Sequence, residues 1–255
     1  MRTIKLTVSY DGTDYVGWQR QAQGRSIQGE LERAFAEIEG RPVHVVGAGR
    51  TDAGVHALGQ VAGVRLEHRI ETPALVRAIN AKLPPDVRLL AADTVEADFH
   101  ARYAARTKRY RYNLTTGPVA SPFTLRYAWH VREPLDLEAL REAAVRLQGR
   151  RDFAAFQAVG TETASTVRTV HSVAIGSGAG ALPLRAAVSP PALTIEVVGD
   201  GFLRHMVRII VGTLVEVGAG RVDAAAITGI AASRSRERAG PTAPPQGLFL
   251  VAVAY

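Results

Sequence analysis

The sequence predicts an α+β protein made of two ferredoxin-like, RRM-like halves. They are expected to join through one extended antiparallel sheet, with helices on one side and a central cleft. Three observations predict this. The order strand, helix, strand, strand, helix, strand can be read twice along the 255 residues. Period-two and helical hydrophobic spacing alternate from end to end. No polar, low-complexity linker separates the two runs, so one body is expected with a boundary at 104–107, giving halves 1–105 and 106–255.

In the first half, Ile4, Leu6, Val8 and Tyr10 alternate with Lys5, Thr7 and Ser9, as in a strand with one buried face. A turn-rich loop through Trp18, Gln19 and Arg20 follows. Ser26 is a good N-cap for a helix on which Ile27, Leu31, Ala34, Phe35 and Ile38 share a face before Gly40 and Pro42 stop it. Short strands at 43–48 and 60–66 flank a glycine-rich stretch, Thr72-Pro73 opens a helix to 83, and a strand at 87–95 closes the unit. In the second half, 108–114 places Tyr110 and Tyr112 on one strand face and Arg109 and Arg111 on the other. Asp136 caps a helix carrying Leu137, Leu140, Ala144 and Leu147. Strands at 167–175 and 193–198 flank a Gly-, Ala- and Pro-rich stretch, 176–191, which reads as a flexible hairpin tip. A long apolar helix at 203–217, a shorter one at 224–232 and a strand at 248–254 complete the chain.

Composition narrows the function. The formal net charge is +7, and only three of the 31 basic residues are lysines, Lys5, Lys82 and Lys108. Arginine's planar fork suits phosphates and stacks on bases, which raises the odds of a nucleic-acid partner, with a merely solvated basic surface an equal alternative that charge alone does not decide. There is no cysteine, hence no disulfide and no thiolate metal site, and the histidines lack the His-Glu-x-x-His spacing, so no metal is expected. No apolar run approaches the roughly 20 residues of a membrane helix, and the N-terminus carries no signal-peptide core. A cytoplasmic protein without membrane contact is expected.

The chemistry gathers at Gly49-Arg50-Thr51-Asp52-Ala53-Gly54-Val55-His56. Asp52 is its one acid, set among small residues that let a ligand approach the backbone. Taken alone, Thr-Asp-Ala-Gly reads first as a turn. The glycines complete neither of the two nucleotide-loop patterns, so no nucleotide cofactor is expected. Tyr110, beside two arginines, reads either as a core tyrosine, the commoner case, or as a platform for an unstacked base. Arg204 and Arg208, four apart on the expected helix, either reach to solvent or meet an anion. A carboxylate such as Asp52 would be such an anion, held ionised by the pair.

Five ordered motifs, Tyr10-Asp11-Gly12-Thr13 with Gly17-Trp18-Gln19-Arg20-Gln21, Gly49 to His56, Arg109-Tyr110-Arg111-Tyr112, His205-Met206-Val207-Arg208 and Gly247-Leu248, give the whole chain a resemblance to the tRNA pseudouridine synthase A family. The resemblance implies the pseudouridine synthase fold and an isomerase without metal or organic cofactor. It implies a homodimer that cradles tRNA and converts uridines at positions 38–40 of the anticodon stem-loop to pseudouridine. It implies that Asp52 is the catalytic aspartate, that Tyr110 packs on the target base, that Arg208 pairs with the aspartate and that Arg50 helps expel the base. Gln19, Arg20, His56, Arg109, Arg111, Arg204 and Leu248 are the further RNA-contact candidates. Two departures stand out: Ile209, where the motif often carries asparagine, and the length of 176–191. Whether the carboxylate attacks C1′, adds to C6 or removes the 2′ proton stays open, as does a noncatalytic RNA-binding role.

Overall fold

The computed structural model describes residues 1–160, 163–177 and 193–255. The chain divides into two units, Met1–Arg106 with Phe249–Tyr255, and Thr107–Leu248.

The first unit runs β1 (Arg2–Tyr10), α1 (Ile27–Glu39), β2 (Val45–Gly47), β3 (His56–Leu66), α2 (Thr72–Asn80) and β4 (Val87–Val95). β1 lies between β4 and β3, antiparallel to both, and β2 pairs with the far edge of β3. This is the strand order of a split βαβ unit. Ile4, Leu6 and Val8 are fully buried and Tyr10 nearly so, because alternate residues of a strand face the same way. Ser26 caps α1 by accepting from the Gly29 N–H, and Gly40 ends it in the left-handed conformation at φ +68°, a backbone that favours glycine. The register of β1 against β3 shifts between Val8 and Tyr10. Such a bulge re-aims the next side chain, here Tyr10.

Three boundaries differ from expectation. β3 begins at His56, not 60. The Ala57-Leu58-Gly59 stretch shows no alternation, and a Cβ on Gly59 would lie 2.7 Å from the carbonyl oxygen of Val251, so a close neighbour strand requires that glycine. α2 ends at Asn80 rather than 83, where the Asn80 amide donates to the Leu89 carbonyl at 2.8 Å and accepts from the Leu89 N–H at 2.9 Å. Its N-cap is Glu71, with Thr72 already helical. β2 is only three residues long.

The second unit contains β5 (Thr107–Thr116), α3 (Pro122–Leu125), β6 (Trp129–Val131), α4 (Leu137–Arg146), β7 (Gly149–Asp152), β8 (Val167–Ser177), β9 (Leu193–Gly199), α5 (Met206–Gly218) and α6 (Ala226–Ser233). Its strands follow the order β5, β9, β8, β7, all antiparallel, with β6 parallel to β5. α3, β6 and β7 were not anticipated, since elements of three or four residues are too short to show a period. Of the hairpin tip expected at 176–191, Gly176 and Ser177 belong to β8, and 178–191 lie outside the described residues. The last strand, β10 (Leu248–Ala254), pairs in parallel with β3, Phe249 opposite His56 and Leu250 opposite Ala57. From Phe249 on it belongs to the first unit, unlike the expected division at 105.

α5 starts at Met206, three residues later than expected, because His205 at its N-cap takes the left-handed φ of +62°. Arg204 therefore precedes the helix and does not share a helical face with Arg208. Met206, Val207, Ile209, Ile210, Val211 and Leu214 are all buried, the pattern of a helix enclosed on every side. Ile209, with no exposed surface, is part of that enclosure.

Candidate active site

Asp52 stands between β2 and β3 on a tight turn. Its carbonyl accepts the Val55 N–H at 3.1 Å, and Gly54, at φ +74°, supplies the left-handed residue that position i+2 of a type II turn demands. The side chain is half-buried while Ala53 beside it is exposed. The turn places the carboxylate at the rim of the first unit.

The residues on either side are fixed from below. The Thr51 carbonyl accepts the Trp18 N–H at 3.0 Å. The Thr51 hydroxyl lies 2.8 Å from the Tyr10 hydroxyl, and the buried Gln60 amide donates to the Gly49 carbonyl at 2.9 Å and reaches the Tyr10 oxygen at 3.5 Å. Burial pushes the Tyr10 phenol far above its usual range, the bonds from Thr51 and Gln60 offsetting part of the rise, so it remains a neutral hydroxyl. Gly12 and Gly17 let the preceding loop lie flat against the turn: a Cβ on Gly12 would fall 2.0 Å from the Val55 oxygen, and one on Gly17 2.6 Å from the Thr51 oxygen.

His56 is 1% exposed. Its Nδ1 accepts the Gly12 N–H at 3.1 Å, with an Asp11 carboxylate oxygen also at 3.1 Å, and its ring stacks on Phe249 with centroids 4.7 Å apart. His56 thus ties the 11–18 loop to the base of the Asp52 turn. Arg50, Gln19 and Arg20 are exposed on the same unit, Arg20 in a loose 3.4 Å pair with Glu32.

In the second unit, Tyr110 is buried on β5 with its ring edge-on to Phe202 at 5.2 Å. Arg109 is exposed on the opposite face, while Arg111 gives Nε and one terminal nitrogen to Glu196, its cross-strand partner, at 2.8 and 2.6 Å. Arg208, half-buried in the first turn of α5, donates from Nε to the Ala243 carbonyl at 2.8 Å. Arg204 is exposed, and Leu248 is buried at the start of β10. A surface groove of about 790 Å³ lies at the other end of α5, lined by Asp136, Glu142, Gly218 and Asp223 among others. Its carboxylates would repel phosphate.

A family described as tRNA pseudouridine synthase matches residues 6–104 and 143–255. The chain belongs to the tRNA pseudouridine synthase family. Among similar proteins, the tRNA pseudouridine synthase A of Geobacter sulfurreducens is 46% identical over 255 residues, covering all of both chains. That of Moorella thermoacetica is 44% identical over 257 residues, again all of both chains. That of Syntrophotalea carbinolica is 45% identical over the whole chain and 97% of its own length. The family match includes the Asp52 turn and Arg208 but stops short of 105–142, which holds β5 and Tyr110. Within the tRNA pseudouridine synthase family assignment, the Tyr10, Thr51 and Gln60 contacts are what sequence reading missed. Their one trace in the sequence is Gln60, the one amide in β3, set between apolar neighbours.

Proposed function

We propose that this protein isomerises uridine to pseudouridine in tRNA, at positions 38–40 of the anticodon stem-loop, with Asp52 as the catalytic carboxylate. The observation that carries the reading is the Asp52 turn itself: a half-buried acid whose neighbours are held by Tyr10 of β1 at the Thr51 hydroxyl, by Gln60 of β3 at the Gly49 carbonyl and by Trp18 at the Thr51 carbonyl. A carboxylate fixed before substrate arrives needs no reorganisation at the moment of reaction.

The target nucleotide leaves its stack and meets Asp52, which helps break the bond from N1 to C1′. The base turns and rejoins through C5, the C5 proton passes to solvent and N1 takes up a proton, an isomerisation within one nucleotide that requires no redox group. In this reading Tyr110 packs on the base, Arg208 pairs with Asp52, and Arg50 helps hold the base out. The remaining arginines, Arg20, Arg109 and Arg204 among them, meet phosphates. The enzyme works in the cytoplasm as a homodimer. Mapping pseudouridine in unmodified tRNA treated with the purified protein tests the site assignment. Product at 38–40 and nowhere else agrees with it, and product in another arm of the tRNA contradicts it.

A further inference from the structure

The segment after β4 is built with an inside and an outside. Phe99 lies over Gly63 of β3 and packs against Tyr255, ring centroids 5.1 Å apart. Ala101 is buried, and its carbonyl accepts the Tyr255 hydroxyl at 2.8 Å. The Phe99 N–H donates to the Glu96 carbonyl and the Ala104 N–H to the His100 carbonyl, both at 3.0 Å, while the Thr3 hydroxyl donates to the Ala97 carbonyl at 3.2 Å. The loop is thus anchored by packing and by hydrogen bonds along its length.

The outside carries His100, Arg102 and Tyr103. Tyr103 is 77% exposed, although a tyrosine serving stability buries most of its ring. It is nonetheless held in place. The His100 Nδ1 accepts the Arg102 and Tyr103 N–H groups at 3.2 and 3.3 Å, and the two rings stack at 4.3 Å, 29° from parallel. The Arg102 guanidinium lies over the Tyr103 ring, 5.8 Å from its centroid, and forms no ion pair among the described residues. An ordered, water-facing aromatic beside an uncommitted cation is the pairing that grips an unstacked nucleobase and its phosphate.

Resting on the proposed action on tRNA, we infer that His100, Arg102 and Tyr103 form a second RNA contact, which takes a flanking nucleotide rather than the target. Tyr103 stacks on its base, Arg102 meets its phosphate, and His100 positions the tyrosine ring. Gly63, beneath Phe99, is seven residues along β3 from His56 at the base of the Asp52 turn, a run of about 23 Å. One nucleotide cannot serve both places. The net charge of +7 favours RNA over a protein surface as the occupant.

The test is equilibrium binding of unmodified tRNA to full-length Tyr103→Ala, Tyr103→Phe and Arg102→Ala across a salt series, with thermal melting of each variant. Loss of one stacked base weakens binding about tenfold in Tyr103→Ala, and Tyr103→Phe, which keeps a ring, restores it. Arg102→Ala lowers the magnitude of the salt slope by about one. Melting temperatures stay at wild type, because the exposed ring supports no core. Wild-type affinity in Tyr103→Ala would overturn the inference, as would a change in oligomeric state with RNA affinity retained, which would mark the patch as a protein contact. Either result leaves the proposed activity standing. If the wild type itself bound no tRNA, that reading would fall first.

Discussion

A carboxylate accelerates a reaction most when it is already in place, and the residues flanking Asp52 are held by buried groups. Tyr10, Thr51 and Gln60 form one contact chain, and the Trp18 N–H bonds the Thr51 carbonyl. Tyr10→Phe removes a hydroxyl while keeping the ring, leaving the Thr51 hydroxyl and the Gln60 amide short of a partner. Urea unfolding should show a loss of about 1–3 kcal/mol. Because the turn shifts rather than the RNA surface, kcat should fall about tenfold or more with KM for tRNA within about twofold; an unchanged kcat would separate these bonds from catalysis. Asp52 itself was legible in the sequence as an isolated acid among glycines, as were the caps Ser26 and Asp136, whose bonds reach two or three residues on. The support beneath Asp52 was not, because its partners lie 41 and 50 residues apart and no local period records them.

At the level of elements, β1, α1, β3, α2 and β4 were readable because each is long enough for its period or carries a cap, whereas the three-residue β2 falls inside a longer strand expected at 43–48. Failures fell where something other than the hydrophobic period sets the boundary: β3 extended by its β10 neighbour, α2 ending where Asn80 bonds to Leu89, and α5 delayed by the left-handed backbone of His205. Glycines show the same distinction. Gly12→Ala forces its new methyl into the Val55 carbonyl, at 2.0 Å, and should lower stability by about 1–3 kcal/mol while moving the Asp52 turn. Gly229, exposed within α6, would place an added methyl with nothing within 4 Å of it. Gly229→Ala should raise stability by about 0.5–1 kcal/mol through helix propensity and unfolded-state entropy. Paired denaturation curves check both signs at once.

Across the whole molecule, charge and burial set the response to solution conditions. Burial holds the phenols of Tyr10 and Tyr112 well above the usual tyrosine range. Unfolded, they ionise near pH 10; folded, they stay neutral. Their contribution is therefore complete below about pH 10 and declines above it, by about 1.4 kcal/mol per pH unit for each. Asp152 lies on the acid side: the Thr166 hydroxyl, with the Ala154 N–H and Arg234, holds its carboxyl below the usual range. Its contribution is present above about pH 4 and is lost as pH falls through the lowered folded value. Stability measured against pH should accordingly show a plateau between these limits, and a decline setting in near neutrality would contradict both assignments. A chain of charge +7 that grips tRNA through several phosphates should also lose affinity with a log–log salt slope of magnitude about 3 or more.

Everything proposed for the site turns on the Asp52 carboxylate carrying the isomerisation, and release of tritium from tRNA labelled at C5 of uridine measures that directly, since the new bond forms at that carbon. Wild-type protein should release label to the extent of one uridine or more per tRNA. Asp52→Asn should release it at least about 10³-fold more slowly while binding tRNA with wild-type affinity. Release by Asp52→Asn at the wild-type rate would contradict a catalytic role for Asp52.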